Sequence, residues 1–283
     1  MKIIDQNTFE AENWIDLHDY LFNDYESDKD RFRSRYAYRG ISNCKYGLET
    51  SLQRIGRIPS LVEEHLIRNF KKYSPINTLS GDYNNIWNWI SLGQHHGLPT
   101  RLLDWTFSPN VALHFMSENT KSYDVNGVIW MVNFIEVKNH LPDILKEKLK
   151  EKNHLGFATN ELKELVGDSI EHIKSFTKSN GNGLIFFEPP SIDERIVNQF
   201  AMFSFMLDPD TDKLAWLNQH PTLYKRIIIP KELKWEIRDK LDQANISERI
   251  IYPGLDGISK WLARWYSEKN KSKTWQISTS TDI

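Results

Sequence analysis

The feature that most constrains this fold is a helix stop and a helix start set close together around Pro99. Ile86, Trp87, Trp89 and Ile90 predict a helix that runs from about 84 to Gly97. There a glycine can take the left-handed C-cap, and Pro99 prevents continuation. Downstream, Ser108 and Pro109 precede the apolar Val111, Ala112, Phe115 and Met116, which predicts an N-cap, a proline at the first helical position and a new apolar face. The chain must therefore turn between these points, and the turn is expected to be a short exposed segment, a helix-to-helix corner. His95 and His96 fall in the last turn of the first helix, where unpaired carbonyls and the negative end of the dipole favour a donor or a cation. With Arg101, Asp104, Trp105 and Thr106, they make this the stretch densest in chemistry.

Composition narrows the classes. A net charge of −2 over 283 residues argues against a chain-wide electrostatic grip on nucleic acid. The single cysteine, Cys44, cannot form an internal disulfide, and the first residues lack the basic and apolar regions of a signal peptide. A cytoplasmic location is therefore expected. No apolar run reaches the roughly 18 residues a membrane helix needs, so no membrane association is expected.

The remaining pattern predicts an α+β fold: a mixed or split antiparallel sheet with surrounding helices, in one domain with appended C-terminal helices. An N-terminal helical extension is expected over 1–34, with an amphipathic helix from Asn13 to Phe22 and a solvated charged connection from Asp24 to Arg33. The core is expected over 35–207. Its strands are read at 36–41, at 127–134, at 184–187 and, carrying Gln199 on one parity with Phe203 and Phe205, at 195–207. Ser60 and Glu63 have capping-box spacing before a helix bearing Val62, Leu66, Phe70 and Tyr73, whose charged face is read as solvent surface. Over 208–268, a strand before Pro230 and two helices, one bearing Leu233, Ile237 and Leu241 and the other Ile258, Leu262 and Trp265, are expected to close the core. A polar tail with Trp275 is expected over 269–283.

The segment from Gln94 to Thr106, continuing through Ser108, Pro109, Ala112 and Leu113, resembles the central signature of the FRG-domain family. Tyr38-Arg39-Gly40 stands where that family carries its Phe-Arg-Gly tripeptide. Arg195, Gln199, Ala201 and Phe203 correspond to a third family segment, with alanine in place of its glycine, and 250–257 is similar more weakly. The order of Arg39, the Asp104-to-Ser108 segment and a late polar residue is similar in turn to that of ADP-ribosyltransferases, which hold NAD in a split-sheet cleft. That resemblance implies that Arg39 binds the cofactor, that Thr106 and Ser108 brace Arg39 and the nicotinamide ribose, and that Trp105 stacks on a ring. Gln199, or else Glu194, would take the late position held by a glutamate. A neutral amide there offers less to the positive charge that develops as nicotinamide leaves.

The candidate site residues are therefore Gln199, His95, His96 and Asp104 for catalysis and Arg39, Arg101, Trp105, Thr106 and Ser108 for a nucleotide such as NAD or another phosphate-bearing ligand. No metal is predicted, since adjacent helical histidines point about a third of a turn apart and no ligand spacing accompanies them. The residues alone leave alternatives open. Arg39 could form an ordinary internal ion pair, and Arg101 and Asp104, three apart, could pair with each other. His95 and His96 are not separable. The pocket could belong to an NAD-using transferase or hydrolase of the bacterial effector or defence type, or to a noncatalytic module for a nucleotide, a nucleic-acid end or a protein segment. The motif could also be a buried polar network that fixes the corner.

Overall fold

The computed structural model of this protein describes residues 1–26, 30–75, 82, 84–152, 154, 156–190 and 194–267. The tail expected over 269–283, with Trp275, lies outside the described residues. Among those described, the strands are β1 (Lys2–Ile3), β2 (Thr8–Glu10), β3 (Tyr25–Glu26), β4 (Arg31–Phe32), β5 (Tyr36–Ile41), β6 (Leu103–Thr106), β7 (Gly127–Asn133), β8 (Phe157–Ala158), β9 (Leu184–Glu188), β10 (Ala201–Met206) and β11 (Tyr224–Ile229). Nine of them form one sheet in the order β1-β2-β11-β7-β5-β6-β10-β9-β8. It is mixed: β11 runs parallel to β2 and β8 parallel to β9, while the inner pairs are antiparallel. β3 and β4 make a small hairpin in the connection expected to be merely solvated.

The helices are α1 (Trp14–Phe22), α2 (Pro59–Tyr73), α3 (Ile86–His95), α4 (Pro109–Ser117), α5 (Phe134–Val137), α6 (Asp143–Lys152), α7 (Thr159–Leu165), α8 (Ile170–Asn180), α9 (Glu194–Asn198), α10 (Lys213–Asn218), α11 (Lys234–Gln243), α12 (Glu248–Ile251) and α13 (Leu255–Trp265). The sheet is covered on both faces, which is why β7 reads as an unbroken apolar run. Its Val128, Trp130 and Val132 join one cluster with Trp105 and Phe186. Ile129 and Met131 join another with Tyr38, Ala112 and Ile227. A third cluster, around Trp87, Phe187 and Phe205, packs α3 and its neighbours against the far end of the sheet.

The expected helix boundaries hold where the signals are local. Asn85 caps α3 through a bond from the Trp87 amide, Gly97 has a φ of +81°, and Ser108 caps α4 with Pro109 at its start. Four expectations fail. The corner is not an exposed segment, because Leu103–Thr106 enters the sheet as β6 and Thr100 to Leu103 are buried. Ser60 and Glu63 form no capping box: Ile58 precedes α2 with no side-chain cap, and Glu63 is turned inward at 1% exposure. Residues 194–198 form α9 rather than strand, and Phe200, at a φ of +47°, makes the turn into β10, so Gln199 sits at a turn. In α13, Ile258, Leu262 and Trp265 face outward, and the helix is instead seated by Gly257 and Arg264.

Candidate functional site

The site begins with a weak joint in the sheet. β5 pairs with β7 along six residues, from Tyr36↔Asn133 to Ile41↔Val128. Its other edge meets β6 at the single pair Tyr38↔Thr106, after which the strands part. Gly40 follows at once because α4 rests on it: a Cβ there would come within 1.8 Å of the Ala112 carbonyl oxygen. The tripeptide thus holds a buried tyrosine, an arginine at the split and a glycine under a helix.

Arg39 bridges the opening. Its Nη1 donates to the Asp104 carbonyl at 2.7 Å, and the Asp104 carboxylate lies 3.8 Å away. The Nε is buried with no hydrogen-bond partner among the described residues. Burial pulls the guanidinium below its ordinary pKa, the Asp104 charge offsets part of that, and Arg54 adds to it. A fork of five donors is therefore held by one hydrogen bond among the described residues, and an anion would satisfy those of its N–H groups that face the cleft.

Around Arg39 lies a cleft of about 370 Å³, bordered by Gln94, His95, Asp104, Thr106, Arg195 and Gln199, with apolar walls from Phe115, Ile196 and Phe203. That volume is at the small end of the roughly 300–1,000 Å³ of ligand pockets. Among the described residues Asp104 is the one carboxylate on this border, half exposed and accepting from Gln94 Nε2 at 2.7 Å. Gln94 is oriented in turn by the Thr100 hydroxyl, which donates to its Oε1 at 2.5 Å. The Gln199 amide donates to the Ile251 carbonyl over 3.4 Å, and its backbone carbonyl accepts from Thr106 Oγ1 at 2.7 Å.

The structure separates the two histidines. His95, last residue of α3, borders the cleft, whereas His96 is the exposed cap residue and does not. Thr106 accepts from the Ser108 amide at 3.0 Å, and Ser108 caps α4, so these two build the corner and neither braces Arg39. Trp105 touches the cleft, but its indole is 3% exposed, donates to Ser204 at 2.8 Å and packs edge-on against Phe186, leaving no free ring face for stacking. Arg101 is away from the cleft altogether. It does not pair with Asp104: it makes a two-pronged ion pair with Glu63, both at 1% exposure, and donates to the Leu207 carbonyl at 3.0 Å. Its chemistry is structural, and the charged face of α2 supplies its partner.

Sequence reasoning passed over Gln94 and Arg195 as site residues. Both lay within the segments singled out, but nothing local shows that Gln94 orients Asp104 or that the segment of Arg195 folds back over the split. Among the described residues, no three His, Cys, Asp or Glu side chains gather to hold a metal ion. No described helix is long and apolar enough to cross a membrane.

Comparison with known families adds one result: residues 34–125 match the family described as the FRG domain. That span includes Tyr38-Arg39-Gly40 and the whole corner, but Arg195, Gln199 and Phe203 lie beyond it. No curated protein and no solved structure gives a match.

Proposed function

This chain contains an FRG domain at residues 34–125, and we propose that the cleft at its sheet split binds a nucleotide and, in the most specific form, cleaves the nicotinamide–ribose bond of NAD. The observation that carries this reading is Arg39, fixed at the border of the cleft by the Asp104 carbonyl, with its Nε unpartnered among the described residues. Arg39 would hold a phosphate oxygen of the ligand. Asp104 takes the role that Gln199 cannot, since a carboxylate stabilises positive charge developing on the ribose better than an amide does. Gln199 would orient a ribose hydroxyl through its amide.

In the reaction, the electron pair of the bond between ribose C1′ and the pyridinium nitrogen passes to that nitrogen, and nicotinamide leaves neutral. Water or a target nucleophile then bonds to C1′ and gives up its proton, for which the His95 imidazole at the cleft border is the candidate acceptor. Consumption of NAD is the activity through which such a chain would serve as a bacterial effector or defence protein. The second reading, a noncatalytic nucleotide-binding module, draws support from the amide at position 199.

Calorimetry with NAD, followed by detection of released nicotinamide, tests both. Asp104→Asn should slow release on the order of 10²-fold while the protein stays folded. Gln199→Glu should raise the rate and Gln199→Ala lower it. Binding without release from any form supports the second reading, and no binding by the folded wild type refutes the NAD assignment.

A further inference from the structure

Arg195 projects from α9 onto the same cleft as Arg39. It is half-buried, and among the described residues it forms no ion pair and donates no hydrogen bond. Its guanidinium carbon lies 4.9 Å from the centre of the Tyr252 ring. A guanidinium held on an aromatic face keeps its charge and its in-plane N–H groups for an acceptor elsewhere. The ring is itself held firmly: its hydroxyl donates to Glu118 Oε2 at 2.8 Å, and Lys260 Nζ lies 4.4 Å from its centre.

The neighbouring residues are clamped to the same segment. Asn198 Nδ2 donates to the Ile250 carbonyl at 2.8 Å, and Gln199 Nε2 donates to that of Ile251. The α9 wall of the cleft is therefore positioned by α12 and Tyr252. Against Asp104, the one carboxylate on the border among the described residues, which Gln94 and Arg39 already engage, stand two arginines with donors to spare.

We infer that Arg195 is a second anion-binding residue of the cleft, oriented by Tyr252, and that the ligand class is one carrying a diphosphate rather than a single phosphate. One arginine at the split and a second on α9 match two linked phosphate groups, each able to accept from a planar fork. Tyr252 is a positioning residue, acting through Arg195. The inference rests on reading the cleft as a nucleotide site, but it does not require that any bond be cleaved.

The test is calorimetry on the full chain with two matched pairs of probes, ADP-ribose against AMP and pyrophosphate against phosphate. The wild type should prefer the diphosphate member of each pair by about tenfold or more, the size of one charge-assisted hydrogen bond. Arg195→Gln should abolish that preference while leaving the monophosphate affinity in place, and Arg195→Lys should recover only part of it. Tyr252→Leu should behave like Arg195→Gln, whereas Tyr252→Phe, which keeps the ring, should retain most of the preference. Thermal melts establish that each variant is folded. A preference unchanged in folded Arg195→Gln overturns the assignment, even if NAD is cleaved. A preference that depends on Arg195 without nicotinamide release retires cleavage alone. No binding of any probe by the wild type overturns both.

Discussion

Replacing Arg101 with methionine should be among the most destabilising changes in this chain, although Arg101 lies in the segment densest in chemistry. The substitution leaves the Glu63 carboxylate at 1% exposure without its cation and removes the nearer of two donors to the Leu207 carbonyl, which keeps Thr177 Oγ1 at 3.4 Å. An uncompensated buried charge of this kind costs about 3–5 kcal/mol. The lost hydrogen bond adds about 1 kcal/mol, and the sum is a large share of the roughly 5–15 kcal/mol that holds a typical domain folded. Glu63→Leu strands the guanidinium and should cost a similar amount. The double variant removes both charges and keeps mainly the loss of the shorter hydrogen bond to the Leu207 carbonyl, about 1 kcal/mol, so the two changes should fall short of additivity by several kcal/mol. Urea unfolding followed by tryptophan fluorescence and far-UV circular dichroism measures all corners of this cycle. Additive losses, or single losses below about 1 kcal/mol, would refute the assignment of Arg101 to a buried pair. Because Arg101 does not border the cleft, any folded member of the cycle should bind ADP-ribose as the wild type does.

Gly40→Ala places a methyl 1.8 Å from the Ala112 carbonyl oxygen, in backbone that can yield only by lifting α4. A loss of about 3 kcal/mol or more is expected in the same assay, and near-neutral stability would show that the helix does not rest on this residue. His114 is wholly buried, accepts from Arg238 Nη1 at 2.8 Å, and is held down to a pKa of about 3 by burial first and the Arg238 charge second. Its folded pKa is depressed below the unfolded 6.5, so between these values the unfolded chain binds the extra proton and stability is lost as the pH is lowered. The slope is about 1.4 kcal/mol per unit, or about 2 kcal/mol between pH 6.5 and pH 5. Urea midpoints of His114→Gln should lack this part of the acid sensitivity, and parallel pH profiles for variant and wild type would contradict it.

Much of the fold is legible in the sequence because the signals that set it are local. The ends of α3 and α4 follow from Asn85, Gly97, Ser108 and Pro109, which act within one turn of the backbone. The runs at β5, β7, β9 and β11 are apolar enough to identify strands, and the family segments direct attention to Arg39 and the corner. Spacing misleads where the partner is remote. Arg101 and Asp104 look like a pair three residues apart, yet Glu63, 38 positions upstream, takes the arginine. Glu63 itself fits a capping box with Ser60, but a buried cation claims it. Alternating Val197, Gln199 and Ala201 fit a strand, but Asn198 and Gln199 bond to the Ile250 and Ile251 carbonyls, and the segment coils into α9 before the sheet begins.

What the sequence determines by itself is the locally capped helices, the long apolar strands and the residues able to carry charge, since propensity, capping and apolar period act over a few residues. Only the tertiary structure decides which charges are buried against each other and which border a cleft. That choice depends on the desolvation of groups brought together across the chain. Arg101 and Arg39, both inside the family segments, differ because one finds a carboxylate in the core and the other opens onto a split between two strands.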